Sequence, residues 1–261
     1  MNDRERMRSV FAEDADLYDR CRPGYPAQLF DVLTAAVGEG ARVLEIGCGT
    51  GQATVPLAAR GFAVTALEPG EELAEIARRH LADYVSARVV VAAFEEWPLP
   101  PVGFDLVVAA TSFHWLDPAV RMVKAADALR SRGALALVST HHIAGGSDEF
   151  FAQVQQCYER FDPHIEPGQR LPVADEVPED PAEFHRSARF SPPEFHRYEW
   201  EARYTTDQYL GLLMTYSGRR AMPSPARDRL LDCIGQRIDG DHGGVITKRY
   251  LTQLALAKRF G

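Results

Sequence analysis

The stretch Val43 to Thr54, VLEIGCGTGQAT, sets three glycines at alternate positions directly behind a short apolar run. Gly47, Gly49 and Gly51 fall where a buried strand would turn into a helix, so the chain can bend sharply there. A ligand can also approach their backbone amides closely, because no side chain covers them. The stretch therefore predicts a strand, a turn and a helix that open an α/β fold and bind a nucleotide-like ligand.

Short apolar runs alternate with amphipathic stretches from residue 41 to residue 140. The apolar runs do not alternate with polar residues, which is typical of strands covered on both faces. This pattern predicts a Rossmann-like, doubly wound sheet that binds ligands beyond the carboxyl ends of its strands. We predict strands in ARVLEIG, FAVTALEPG, ARVVVAAF, FDLVVAAT and ALALVST, and helices in GQATVPLAARG, EELAEIARRHLADY and PAVRMVKAADALRSRG.

The regular alternation ends after His142. A helix is predicted in FFAQVQQCYERF, and seven prolines then fall between Asp162 and Pro193. This segment is either a lid of short helices and turns over a site or an excursion without a direct role. A strand in HRYEWEARY, helices around 206–216 and 224–238, and a final strand in GGVITKRYLTQLALAKR follow. We predict a single domain with an N-terminal lid (1–25), a ligand-binding core (41–140), an insertion (141–195) and a C-terminal part that completes the sheet (196–261).

The composition is that of an ordinary globular protein, with 261 residues, 46% hydrophobic residues, 25% charged residues and a net charge of −8. The basic residues are scattered, so we expect no nucleic-acid partner. The four cysteines lie far apart without a CxxC pair, which favours reduced thiols over disulfides or a metal site. Neither a signal peptide nor a membrane span is predicted. We expect a cytoplasmic monomer or homodimer that acts on a small molecule.

Two features, one in the turn and one in the next strand, limit the classes of ligand that the fold is expected to bind. A dinucleotide fingerprint would place its third glycine at position 52, where this chain has Gln52, and this counts against a nicotinamide or flavin cofactor. The second strand ends in Glu68, where acidic residues of doubly wound folds bind both ribose hydroxyls of a nucleoside. The alternative is that Glu68 is an acid that stabilises the N-terminus of the helix that follows.

Three segments in order, VLEIGCGTG, VTALEPG and FDLVVAATSFHWLD, resemble the motif set of class I S-adenosylmethionine-dependent methyltransferases over about residues 10–140. The stretches LYDRCRPGYP and FHWLD are more narrowly similar to methyltransferase-11 type enzymes related to trans-aconitate methyltransferase. The resemblance implies a seven-stranded sheet, mostly parallel with one antiparallel terminal strand, and S-adenosyl-L-methionine as the cofactor.

The resemblance also implies positions for the cofactor. The methionine part is expected near Glu45, Gly47 and Gly49, with Gly51 in the same turn, the ribose at Glu68 next to Pro69, the adenine near Ala93 and Phe94, and the amino group at the main chain of Ala110 and Thr111. Many family members have an acidic residue where this chain has Ala93. The contact to the adenine amine must then come from the backbone, come from Glu95, or be absent.

The sulfonium of the cofactor already activates the methyl group, so the protein mainly aligns the reactants. His114 follows the fourth strand, and we predict that it takes a proton from the acceptor or orients it; the alternative is a hydrogen-bonded structural histidine. Arg22 offers a fork suited to the cofactor carboxylate or to an acidic substrate, and its alternative is a surface ion pair.

The leading hypothesis is an S-adenosylmethionine-dependent methyltransferase that acts on a small-molecule acceptor, with a carboxylate as the candidate acceptor group. One alternative is a cofactor-binding regulatory protein that has the methyltransferase fold but does not catalyse. A nicotinamide-dependent oxidoreductase is the second alternative, and the position of the third glycine disfavours it.

Overall fold

The structure is a computed structural model that describes residues 14–162 and 165–261. Residues 1–13 of the predicted N-terminal lid lie outside the described residues, as do residues 163–164 of the predicted insertion.

Helices and strands alternate along the described chain. The strands are β1 (Arg42–Ile46), β2 (Ala63–Glu68), β3 (Arg88–Val91), β4 (Phe104–Ala110), β5 (Leu129–Gly146), β6 (Glu194–Thr205) and β7 (Val245–Lys258). The helices are α1 (Ala15–Cys21), α2 (Ala27–Val37), α3 (Thr54–Ala59), α4 (Glu71–His80), α5 (Arg121–Ala128), α6 (Asp148–Phe161), α7 (Ala182–Ser187), α8 (Thr206–Met214), α9 (Ser217–Arg220) and α10 (Ser224–Asp241). Short 3₁₀ helices cover Phe113–Trp115 and Ala174–Glu176.

Within the described residues, seven strands form one sheet in the order β3-β2-β1-β4-β5-β7-β6. The first five strands in this order, from β3 to β5, pair in parallel with one another. The β7 strand runs against β5, because Thr140 contacts Thr252 whereas Gly146, further along β5, approaches Thr247. The Rossmann-like, mostly parallel sheet with one antiparallel strand is thus confirmed. The last strand of the chain lies between β5 and β6 rather than at the edge of the sheet.

The chain divides into two compact units, which we describe separately. The core unit consists of Gly24–Thr140, Glu179–Tyr198 and Thr252–Gly261. The second unit consists of the described part of Met1–Pro23 together with His141–Pro178 and Glu199–Leu251. We predicted one domain with a boundary between residues 140 and 141, and the longest segment of the core unit ends at that point.

In the core unit, successive residues of the central strands face opposite layers. On β1, Val43 belongs to a buried cluster with Leu33 of α2, whereas Leu44 belongs to a second cluster with Met122 of α5. Val43 and Leu44 are both 0% exposed, so β1 is buried on both faces, as its unbroken apolar run predicts. Burying each such side chain stabilises the fold by about 1.5–3 kcal/mol, and this rigid sheet holds the loops at its carboxyl edge.

The second unit has an apolar core of its own, built from α6, α8 and α10 with residues of β6 and β7. Cys157 of α6 and Cys233 of α10 form a disulfide in this core, with their Cα atoms 6.0 Å apart. Our prediction of reduced thiols is therefore wrong for this pair. The two cysteines are separated by 76 residues, and the packing of α6 against α10 that brings them together leaves no signal in the cysteine spacing. Cys21 and Cys48 are free thiols.

Two boundaries around β5 differ from the predicted ones. The helix α5 ends at Ala128, although we predicted it to continue through Gly133, because Leu129 already pairs with Phe104 of β4. The β5 strand then continues through Thr140, His141 and His142 to Gly146, where polar residues suggested that the strand had ended. Strand pairing outweighed the local preference at both ends of β5.

Neither a membrane span nor a metal cluster is visible in the described part of the chain. None of its helices combines the length and the apolar character needed to cross a bilayer. Its His, Cys, Asp and Glu side chains form no group of three or more that could hold a metal ion.

Candidate active site

The glycine turn after β1 has a backbone that other residues would strain. The φ angle is +69° at Gly47, +58° at Gly49 and +101° at Gly51. A Cβ atom added to Gly47 would lie 2.8 Å from the Cβ atom of Ser112, which follows β4. Gly47 is therefore required both by its left-handed backbone and by the close approach of the residues after β4.

Glu68, the last residue of β2, is fixed by the backbone on either side of it. Its Oε2 accepts a 2.9 Å hydrogen bond from the Gly49 amide, and its Oε1 accepts a 3.0 Å hydrogen bond from the Gly70 amide. Gly70 is the N-cap of α4, so the helix-terminus interpretation of Glu68 is supported by a direct contact. A carboxylate accepts about four hydrogen bonds, so ligand hydroxyls can bind in addition to these two amides.

Glu45 is a buried acid on β1 next to the glycine turn. It is 1% exposed, and within the described residues its Oε2 has no hydrogen-bond partner. Burial, and secondarily the negative charge of Glu68, raises the pKa of Glu45 to about 7. An unsatisfied buried acceptor costs about 1–3 kcal/mol, and a cationic ligand at this position would satisfy it.

The end of β4 turns sharply beside the glycine turn. Thr111 has a φ of +57°, which is rare for a β-branched residue, and its amide donates a 2.8 Å hydrogen bond to the carbonyl of Val138. Its hydroxyl lies 3.0 Å from the hydroxyl of Tyr25. The hydroxyl of Ser112 donates to the carbonyl of Ile46 at the end of β1. Strained residues of this kind cluster at functional sites, and no local sequence pattern indicated this one.

The residues after β3 are tied to the end of β2. The Ala92 amide donates a 3.2 Å hydrogen bond to the Glu68 carbonyl, and the Ala93 carbonyl accepts from the amides of Glu96 and Trp97 at 3.1 and 3.0 Å. The Phe94 ring is 2% exposed and belongs to the buried apolar cluster that contains Leu44 and Met122. Pro69 is exposed between Glu68 and Gly70.

The side chain of Glu95 contacts the chain that follows the 3₁₀ helix. Its Oε1 accepts a 3.1 Å hydrogen bond from the Asp117 amide. The Glu95 carbonyl accepts a 2.8 Å hydrogen bond from Nζ of Lys124 on α5. These contacts tie Glu95 to the segment after the 3₁₀ helix and to α5.

His114 lies on the 3₁₀ helix Phe113–Trp115, three residues beyond Thr111. The helix is anchored by the buried Phe113, whose carbonyl accepts a 3.1 Å hydrogen bond from Nη1 of Arg121. The His114 imidazole is exposed, and its ring centroid lies 4.8 Å from that of Trp115. Neighbouring groups displace part of the water around the imidazole, and this partial desolvation lowers the pKa of His114. The positive charge of Arg121 lowers it further. The imidazole is therefore neutral near pH 7.

Hydrogen bonds and close contacts link most of the predicted cofactor residues into one site at the carboxyl edge of β1, β2 and β4. Glu68 bonds to the turn through Gly49, and Ser112 joins the turn to the residues after β4. Arg22 instead belongs to the second unit, where its Nη2 donates a 2.9 Å hydrogen bond to the Thr215 carbonyl. The described core-unit members of this site are Glu45, Gly47, Gly49, Gly51, Glu68, Ala110, Thr111 and Ser112.

Comparison with known proteins places this geometry in a family. Residues 43–133 match the family model described as a methyltransferase domain. An uncharacterized methyltransferase of Mycobacterium tuberculosis is 31% identical over 235 residues, which are 89% of this chain and 87% of that protein. A malonyl-acyl-carrier-protein O-methyltransferase of Geobacter sulfurreducens is 35% identical over 121 residues, which are 44% of this chain and 45% of that protein.

A solved structure from Anaeromyxobacter dehalogenans, described as that of a type II methyltransferase, has the same fold. It is similar with a TM-score of 0.57 and 24% identity, over 90% of this chain and 97% of that one. A parallel sheet with a glycine turn after its first strand and an acid at the end of its second defines the nucleoside-binding class of α/β proteins. Within that class, the chain belongs to the class I S-adenosylmethionine-dependent methyltransferases.

Proposed function

We propose that this chain transfers the methyl group of S-adenosylmethionine to a carboxylate oxygen of a small organic acid. The observation that carries the cofactor assignment is Glu45, a buried acid with an unsatisfied oxygen beside a glycine turn. The oxidoreductase alternative is dropped, because the chain belongs to the methyltransferases.

The residues at the strand edge fit the cofactor. Glu45 would bind the methionine ammonium, Glu68 the two ribose hydroxyls, and the backbone of Ala110 and Thr111 the amino acid part. Gly47 lets Ser112 pack directly against the turn, since it has no Cβ. The side chain of Phe94 faces the apolar cluster, so the adenine would be contacted by the backbone at Ala93 and Phe94. The bound cofactor supplies a methyl group already activated by its sulfonium.

Two observations support a carboxylate acceptor. A carboxylate reaches the methyl group already deprotonated and needs no base, which suits a site edge where His114, the histidine that follows β4, is exposed. The relative from Geobacter sulfurreducens is named as an O-methyltransferase. In this proposal the neutral His114 donates one hydrogen bond to the acceptor and orients it.

The test uses the full chain with S-adenosylmethionine labelled in its methyl group. Small mono- and dicarboxylic acids are offered as acceptors, and the products are treated with mild alkali. A methyl ester releases labelled methanol in alkali, whereas N-methyl and C-methyl products keep the label. Transfer of an alkali-stable label would overturn the carboxylate assignment. Binding of S-adenosylhomocysteine without transfer to any acceptor would favour the regulatory alternative.

A further inference from the structure

The second unit contains a lysine buried among aromatic rings. Lys248 lies on β7 and is 4% exposed. Its Nζ donates a 3.3 Å hydrogen bond to the Tyr216 hydroxyl and lies 5.0 Å from the ring centroid of Tyr250. Within residues 14–162 and 165–261, no carboxylate pairs with this ammonium. Lysines are almost never fully buried unless they are paired, so an unpaired one calls for a ligand.

A second cation, the Arg22 guanidinium, approaches Tyr216. The Arg22 guanidinium carbon lies 4.7 Å from the ring centroid of Tyr216 and 5.0 Å from that of Tyr18. Its Nη2 donates to the Thr215 carbonyl, whereas its buried Nε has no hydrogen-bond partner in the described part of the chain. Arg22 thus keeps a buried donor for a further acceptor, and two positive charges meet at one phenol.

The pKa values of two neighbouring groups, Tyr216 and His142, are lowered by this uncompensated positive charge. Burial by itself would raise the pKa of Tyr216, but the charges of Lys248 and Arg22 outweigh burial and lower that pKa. Burial, and then the charge of Lys248, lowers the pKa of His142 to about 2. His142 is therefore neutral and cannot add a third positive charge, and its buried Nε2 has no partner within the described residues.

We infer that Lys248, Arg22 and Tyr216 form a binding site for the carboxylate of a small organic acid. The Lys248 ammonium, the Arg22 Nε–H and the Tyr216 hydroxyl are donors, and an anion between them would neutralise charge that the described residues leave unpaired. The surrounding surface is aromatic: Tyr18 contacts Arg22, and Trp200 stacks on Tyr250 with ring centroids 4.6 Å apart. These aromatic surroundings favour an acid with an apolar or aromatic body over a bare inorganic ion.

Charge and polarity in the second unit agree with this assignment. Arg219, which lies over the ring of Tyr158 in this core, is already paired with the carboxylate of Asp162. The Tyr250 hydroxyl is engaged 2.9 Å from the Tyr204 hydroxyl. Arg22 and Tyr216 are half-buried rather than fully enclosed, so an anion can reach this side of the cluster.

The first experiment titrates benzoate into the full chain by calorimetry in the presence of saturating S-adenosylhomocysteine. Benzamide has the same shape without the charge. We expect saturable benzoate binding that is about tenfold or more tighter than benzamide binding, and Lys248→Met should weaken it by about tenfold or more. Lys258→Met is the matched control, because among the described residues the exposed Lys258 Nζ bonds only to the Ala36 carbonyl, and this variant should bind benzoate like the wild type.

The second readout does not depend on how well Lys248→Met folds. Bound benzoate should shift the ionisation of Tyr216 to higher pH, seen as a later rise of tyrosinate absorbance in the wild type and not in Tyr216→Phe. Equal binding by Lys248→Met and Lys258→Met, equal affinity for benzamide, or an unchanged tyrosinate titration would each overturn the site.

Two further titrations, with inorganic phosphate and with S-adenosylhomocysteine, identify the anion that the site binds. Tighter, Lys248-dependent binding of inorganic phosphate would assign the site to phosphate groups and overturn the organic-acid assignment. Loss of benzoate binding when S-adenosylhomocysteine is added would assign the anion to the cofactor's own carboxylate and overturn a separate ligand. Failure of S-adenosylhomocysteine itself to bind would count against the proposed function alone.

Discussion

The amide of Gly49 donates a 2.9 Å hydrogen bond to Oε2 of Glu68, so the glycine turn is held by the residue that we propose to bind the cofactor ribose. The contact joins the ends of two parallel strands, β1 and β2. Under the proposed ribose assignment, loop geometry and ligand affinity at this edge depend on the same carboxylate.

Glu68→Ala should weaken binding of S-adenosylhomocysteine by roughly 1–3 kcal/mol, because it removes a charged acceptor for the ribose hydroxyls. Calorimetry measures the affinity, and Glu72→Ala is the control, since Glu72 is an exposed acid in the first turn of α4. Wild-type affinity in a folded Glu68→Ala variant would contradict the ribose assignment.

Glu45→Gln should change how the free energy of unfolding depends on pH. Because the pKa of Glu45 is raised from 4.5 to about 7 in the folded protein, its contribution to stability is present below about pH 4.5 and is lost as the pH rises to about 7. Urea denaturation of the wild type should show this loss, of about 3 kcal/mol at most, relative to Glu45→Gln. Parallel pH profiles for the two proteins would contradict it.

The same acid should release a proton when the cofactor product binds. The ammonium of S-adenosylhomocysteine favours the ionised form of Glu45, which is largely protonated in the free protein below about pH 7. Calorimetry at about pH 6, in buffers of different ionisation enthalpy, should detect the released proton in the wild type. Equal release by Glu45→Gln would assign the proton to another group.

Gly47→Ala should destabilise the fold more than Gly40→Ala does. Both positions have a positive φ, +69° and +71°, so both substitutions carry a conformational cost of about 1–2 kcal/mol. Only the methyl group at position 47 meets another atom closely, the Cβ of Ser112, whereas nothing lies within 4 Å of the one at position 40. Equal urea midpoints of unfolding for the two variants would show that the turn accommodates the added methyl group without loss of stability.

His114→Ala should raise the Michaelis constant for the acceptor and leave cofactor affinity nearly intact, because a carboxylate needs orientation and no base. His185→Ala, which removes an exposed histidine of α7, is the control in the same kinetic assay. A fall in kcat of roughly 10²-fold or more would indicate that the acceptor arrives protonated. Unchanged kinetic constants would leave His114 a structural residue.

Much of the fold could be predicted because the apolar runs coincide with buried strands. The run around Val43 and Leu44 predicts β1, and the position of Glu68 at the end of the second run predicts its place at the sheet edge. The limits appear where tertiary contacts decide. Leu129 leaves a helix-like stretch in order to pair with Phe104, and Cys157 meets Cys233 only through helix packing.

The chemistry of single side chains was harder to predict than the elements that carry them. Alternation in ITKRYLT predicts a strand, but a lysine in such a strand is ordinarily assigned to the solvent face, whereas Lys248 is buried. The strain at Thr111 and the unsatisfied oxygen of Glu45 depend on neighbours from β4 and β2, which a local pattern does not contain.

Each compact unit is assembled from three separate segments of the chain. A chimaera that exchanges the second unit between two relatives must therefore splice the gene at several junctions at once, for example near Thr140, Pro178 and Leu251, where segments of the units end. A single crossover at one of these junctions would leave at least one unit assembled from both parents, and a truncation there would remove part of at least one unit. Recombination libraries for this family should accordingly be designed with matched multiple breakpoints, and selection on this protein is expected to proceed by point substitution rather than by shuffling of modules.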